Sequence, residues 1–157
     1  MPTVLIADDD ADHRELIMLA LARLGHNVVE AGDAESAQRA LEVGGIDAVL
    51  LDVRMPGASG IELCRRIRET PATAHLPIML ISADVNNHRI LAGLDAGADD
   101  YLTKPYQRAE LHSRLEMLLA RRGSVTPATA ATAALLAARA AVPRMQVPLP
   151  RPVRRTA

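Results

Sequence analysis

Residues 48–60, AVLLDVRMPGASG, decide how the rest of the chain is read. The run AVLL is unbroken apolar sequence that ends in a charge, Asp52. A strand apolar on both faces is buried on both faces, the condition of a strand inside a parallel sheet with helices on each side. Gly57 and Gly60 let the loop after Asp52 turn tightly. Ser59 and Glu62 then have the spacing of a capping box, which opens a helix running to about Glu69, ahead of Thr70-Pro71. The result is one strand–helix unit with a carboxylate at the strand's carboxyl end.

The unit recurs on both sides. Upstream, 3–7 reads as a strand ending in Asp8, Asp9 and Asp10, and 12–24 as a helix with Asp12 and Glu15 at its head, Asp10 or Asp12 as its cap and Gly25 as its stop. A second strand is predicted over 27–31 and a second helix over 33–43, closed by Gly44-Gly45. Downstream, 77–81 is a buried strand ending at Ser82, and 86–96 a helix closed by Gly97. A fifth strand over 101–103 precedes Lys104-Pro105, and 107–122 is the last helix. Five such units, without a sequence repeat, predict an α/β fold with a parallel sheet and right-handed crossovers. In such a sheet the ligand site lies beyond the carboxyl ends of the strands. After Gly123 the periodicity stops and Ala, Pro, Thr and Arg dominate, so the chain divides into a domain over 1–122 and a mostly disordered tail over 123–157.

Composition narrows the function. Hydrophobic residues at 49% and charged residues at 24% describe a globular core, not a collagen, a disulfide scaffold or a disordered chain. With no Trp, no Phe and only Tyr101 and Tyr106, the core is aliphatic and base-stacking platforms for single-stranded nucleic acid are lacking. All 19 acidic residues precede position 121, while seven arginines and no acid follow from Arg121 on. An acidic body is not built to track a phosphate backbone, so nucleic acid is not an expected partner. Lys104 is the only lysine, and a lone Lys among arginines suits a place needing a compact ammonium. Cys64 is single, no segment has the apolar length of a membrane span, and 4–7 is too short for a signal segment. A cytoplasmic location is expected.

The strand ends gather the chemistry. With strands ordered 2-1-3-4-5 and neighbours about 4.8 Å apart, Asp8 and Asp9 lie one strand from Asp52, and Ser82 one strand away on the other side. Lys104, roughly 10 Å off by the same spacing, closes the gap with its four-carbon stem. Three carboxylates that close repel, and a hard divalent cation such as Mg²⁺ offsets them. An ionised Asp beside such a cation can attack a phosphoryl group, with Lys104 and the Ser82 hydroxyl holding its charge. The histidines 13, 26, 75, 88 and 112 show no ligand spacing and are expected at surface or helix positions. Asp99 and Asp100 are expected in the turn before the fifth strand.

Four motifs in order, VLIADDD, AVLLDVRMPGASG, IMLISA and GADDYLTKPY, closely resemble the receiver domain of bacterial two-component response regulators over about residues 3–122. The resemblance implies a flavodoxin-like (βα)5 doubly wound parallel sheet of order 2-1-3-4-5. It implies that Asp52 is the phosphoacceptor, taking its phosphoryl group from a phosphohistidine on a sensor histidine kinase or histidine phosphotransfer protein. Asp9, Asp52 and the backbone carbonyl of Arg54 would ligate Mg²⁺, with Asp8 holding a metal-bound water. Lys104 would pair with the phosphate, Ser82 would turn toward it, and Tyr101 would change rotamer in step. Arg54 and Asp84 would tune hydrolysis, and the Lys104-Pro105 bond would be cis. Such a protein is a switch rather than an ordinary enzyme, assisting its own phosphorylation and dephosphorylation. Its output surface would be 86–122, used for a protein target or a homodimer.

Two other readings compete. Asp8-x-Asp10 after an apolar strand is similar to haloacid-dehalogenase-type phosphatases, but there the lysine precedes the acidic pair, and Lys104 follows Asp99-Asp100. The other is a receiver-like binding module that works without phosphorylation. The filled acceptor, metal and lysine positions count against it.

Overall fold

Every residue of Ala48–Asp52 and of Ile78–Ser82 is buried, which sets these two strands side by side at the centre of a sheet. The computed structural model describes residues 1–84 and 86–121; the tail expected over 123–157 lies outside the described residues. In chain order the elements are β1 (Thr3–Ala7), α1 (Ala11–Arg23), β2 (Asn27–Ala31), α2 (Ala34–Val43), β3 (Ala48–Asp52), α3 (Gly60–Glu69), β4 (Ile78–Ser82), α4 (Asn87–Asp95), β5 (Asp100–Thr103) and α5 (Arg108–Ala120). The five strands are parallel, in the order β2-β1-β3-β4-β5. This is the flavodoxin-like (βα)5 sheet that the sequence predicts.

Strand alternation splits the core into two layers. Val4 and Ile6 of β1, Leu50 of β3 and Met79 and Ile81 of β4 face α1 and α5, where Ile17, Leu21, Leu111, Leu115 and Leu118 cover them. Leu5 and Ala7, Val49 and Leu51, and Ile78 and Leu80 face the other way, against Ala37 and Leu41 of α2 and Ile61, Cys64 and Ile67 of α3. Both layers are aliphatic apart from Tyr101 in one and Tyr106 at the edge of the other, as a chain without Phe or Trp requires.

Of the two cap candidates, Asp10 caps α1: its backbone is extended and its carboxylate accepts from the amides of Asp12 and His13. Three local expectations are corrected. Asp100 opens β5 instead of lying in the turn. Asp99 is half-buried, pairs with Arg68 at 2.9 Å and accepts the Ile78 amide at 2.8 Å. His26 is not a surface residue; it is buried and donates from Nε2 to Glu116 of α5 at 2.9 Å. Gly57 has the positive φ of 78° that a tight turn needs, but Gly60 serves a different purpose, since a Cβ there would meet the Asp52 carbonyl oxygen at 2.2 Å. It lets α3 start against the strand that carries Asp52.

Candidate acidic phosphoacceptor site

Parallel pairing aligns the carboxyl ends of β1, β3, β4 and β5, and the functional side chains follow from that alignment. Ala7 pairs with Leu51, so Asp8 and Asp9 leave β1 level with Asp52. Asp52 pairs with Ile81, which puts Ser82 one step beyond it on β4, and Ser82 pairs with Thr103, which puts Lys104 just past β5. The Lys104 amide donates to the Ser82 carbonyl at 2.8 Å, and the Lys104-Pro105 bond is cis.

Asp8, Asp9 and Asp52 each offer a carboxylate oxygen within 4.8 Å of the others. Asp8 is 2% and Asp52 8% exposed, while Asp9 stands in solvent. Asp52 Oδ1 accepts the Arg54 amide at 3.0 Å, and its Oδ2 accepts Lys104 Nζ at 2.9 Å. Lys104 Nζ also lies 3.8 Å from Asp8 Oδ2. Burial pushes the Asp52 carboxyl above its ordinary range; the Lys104 and Arg54 bonds oppose this and the Asp8 charge adds to it. Asp8 is held below its ordinary range, because hydrogen bonds from His13 and the Asp10 amide, with Lys104 nearby, outweigh its burial. Crowded carboxylates with one ammonium are a set of hard oxygen donors, and that chemistry fits Mg²⁺.

Ser82 is buried, and its hydroxyl accepts the Asp84 amide at 3.0 Å. The Tyr101 ring packs inward, with its hydroxyl donating to the Asp84 carbonyl at 3.3 Å. Burial raises the Tyr101 hydroxyl pKa, while the neighbouring Ser82 side chain works to lower it. All the predicted site residues thus share one strand-end cluster or its rim.

Sequence reasoning missed two members. His13 Nδ1 donates to Asp8 Oδ2, and His13 Nε2 lies 2.5 Å from the Tyr106 hydroxyl. Burial, with the Asp8 and Asp52 charges, pushes Tyr106 up to about 12, so it keeps its proton. The available signal was position: His13 lies in the first turn of α1, just after the acidic cluster, and Tyr106 lies two residues past Lys104.

A five-stranded parallel sheet with an acidic pocket and a lysine at its carboxyl edge defines a class of signalling modules. Residues 4–116 match the response regulator receiver domain, and the chain belongs to that family. The family's general role is a phosphorylation-dependent switch. The phosphate regulon transcriptional regulatory protein PhoB of Pseudomonas aeruginosa is 40% identical over 121 residues, which are 77% of this chain and 53% of that protein. Transcriptional regulatory protein AfsQ1 of Streptomyces coelicolor is 41% identical over 123 residues, covering 78% and 53%. The chain therefore spans about half the length of these curated relatives. Among solved structures, a response regulator from Chloroflexus aurantiacus superposes with a TM-score of 0.74 at 39% identity, covering 77% of this chain and all of that one. Chemotaxis protein CheY4 of Vibrio cholerae gives 0.72 at 25% identity, covering 75% and 98%. The family match removes the phosphatase alternative. The expectation that nucleic acid is no partner finds no support, because these curated relatives are named transcriptional regulators. Among the described residues no helix is long and apolar enough to cross a membrane.

Proposed function

We propose that Asp52 accepts a phosphoryl group from a phosphohistidine on a sensor histidine kinase or histidine phosphotransfer protein, in the cytoplasm. The observation that carries this reading is the contact of Lys104 Nζ with Asp52 Oδ2 at 2.9 Å, inside a cluster of three carboxylates. An Asp52 oxygen forms the new O–P bond as the P–N bond to the donor imidazole breaks, and that nitrogen keeps the electron pair and takes a proton. Lys104 then pairs with the phosphoryl oxygens, and the Ser82 hydroxyl donates to another. Asp9, Asp52 and the Arg54 carbonyl would hold Mg²⁺, with Asp8 holding one of its waters. The ion would offset the negative charge that builds on the transferring group. Water attack on the acyl phosphate, with Arg54 and Asp84 at its rim, would reset the switch.

Phosphorylation adds charge and acceptor oxygens beside Ser82. As Ser82 turns toward them, its bond with the Asp84 amide is given up, and Tyr101, bonded to the Asp84 carbonyl, is freed to move with it. The equilibrium between two arrangements shifts on the surface of α4, β5 and α5, where a protein target or a second copy would bind. Incubation with a small acyl-phosphate donor tests the reading by intact mass. An adduct of about 80 Da, one phosphoryl group, is expected in wild type with Mg²⁺ and in neither Asp52→Asn nor metal-free protein. An adduct of equal yield in Asp52→Asn would overturn it, and no adduct in any sample would favour a module that works without phosphate.

A further inference from the structure

Both ring nitrogens of His13 are engaged, and both contacts lie at the edge of the acidic pocket. Its side chain is 17% exposed. Nδ1 donates to Asp8 Oδ2, Nε2 meets the Tyr106 hydroxyl at 2.5 Å, and the two rings stand edge to face with centroids 5.8 Å apart. The other Asp8 oxygen accepts the Asp10 amide at 2.9 Å. Two donors at the head of α1 therefore fix the Asp8 carboxylate. A competing donor stands close by: Lys104 Nζ is 3.8 Å from the same Oδ2, and 2.9 Å from Asp52 Oδ2. As placed, the ammonium is in full contact with the Asp52 oxygen and stands off from the Asp8 oxygen, which His13 already serves. Without a donor on Asp8 Oδ2, the nearest cation for that oxygen is Lys104, which would be drawn off Asp52 and into the space between the carboxylates.

We propose that His13, braced by Tyr106, is a positioning residue that holds Asp8 toward a divalent cation and leaves Lys104 to Asp52. The inference rests on the metal reading above and deepens it. Groups that orient a metal's ligands, bound water included, tune its affinity by about 10- to 100-fold, and a donor behind Asp8 sets how that carboxylate holds the water.

An isosteric pair tests it. In His13→Asn the amide nitrogen takes the place of Nδ1 and still reaches Asp8; in His13→Gln it takes the place of Nε2 and reaches Tyr106 instead. Calorimetric titration with Mg²⁺, without phosphodonor, is expected to give His13→Asn the wild-type affinity, and His13→Gln and His13→Leu a loss of about tenfold. Tyr106→Phe should show a smaller loss. In phosphorylation assays His13→Gln should need more Mg²⁺ for half-maximal rate but reach the wild-type plateau, which general damage to the fold would not produce. Equal Mg²⁺ affinity in wild type and His13→Gln, or equal losses in the Asn and Gln variants, would overturn the assignment while leaving the metal site standing. Wild type that binds no Mg²⁺ would sink the metal reading itself. Should His13→Leu fail to fold, the Asn and Gln variants decide alone.

Discussion

Gly60 stands where α3 meets the strand that carries Asp52, and an ideal Cβ there would lie 2.2 Å from the Asp52 carbonyl oxygen and 2.8 Å from its carbonyl carbon. Both atoms are backbone, so no side chain can swing aside to make room. Gly60→Ala is expected to cost about 3 kcal/mol or more, at or beyond the usual range for overpacking, and to slow phosphoryl uptake by moving Asp52. Urea unfolding midpoints check it, and an unchanged midpoint would contradict it. Cys64 shows the opposite case, a reactive group silenced by its place. It is fully buried, and burial pushes its thiol up to about 12, so a thiol reagent should modify it only at the rate of global unfolding. Modification within seconds in native buffer would show an opening that the packing does not predict. Asp52 and Lys104 were legible in the sequence because each directly follows a short strand, and a parallel sheet gathers such positions. His13 and Gly60 were not legible. Their roles depend on the roll of α1 and the approach of α3, which a single chain's periodicity does not set.

The elements on one side of the sheet are tied together by Arg68 of α3. Its guanidinium donates to the carbonyls of Gly97 at 2.8 Å and Ala74 at 3.0 Å, and pairs with Asp99 at 2.9 Å. It thereby binds α3, the segment before β4, and the α4–β5 turn. Gly97, at φ 110°, carries the turn past this side chain. Burial raises the Asp99 carboxyl above its ordinary range, against the pull of the Ile78 amide and Arg68. Arg68→Ala should therefore cost about 1–3 kcal/mol, the usual cost of leaving a half-buried polar group without its partner. Arg68→Ala with Asp99→Asn should cost less than Arg68→Ala alone, because the stranded charge goes with its partner. Unfolding midpoints of the two variants measure this, and a larger loss in the double variant would contradict it. Element types and order were readable in advance because each strand is short and bounded by a polar residue or a glycine. Boundaries moved by one residue where a polar side chain joined the ladder, as Ser82 did at the end of β4 and Asp100 at the start of β5. Arg68 itself drew no notice, since a basic residue in a helix reads as solvated until the turn it reaches is known.

On the scale of the whole molecule, the acidic pocket trades stability for a site. The Asp52 carboxyl is raised by burial and by Asp8, so its ionised form is less favourable in the folded chain than in the unfolded one. A raised carboxyl contributes stability below its unfolded value of about 3.8 and loses it as the pH rises through the folded value. At pH 7 the penalty is present in full, and Asp52→Asn removes it. Asp8, lowered instead, contributes stability above 3.8 and loses it only in acid. Metal-free Asp52→Asn should thus melt above wild type at pH 7, with the difference shrinking as the pH falls toward 4. Mg²⁺ should reverse the order, because on the proposed reading only the intact carboxylate set would bind it well. At ten times its dissociation constant the ion would stabilise wild type by about 1.4 kcal/mol, since it binds the folded state alone. For a domain of this size that moves the melting temperature by several degrees. Melting curves of both proteins with EDTA and with Mg²⁺ measure the crossover. If wild type melts higher in both conditions, the carboxylate crowding at Asp8, Asp9 and Asp52 is already relieved by the chain itself, and the case that this pocket is shaped for a cation fails.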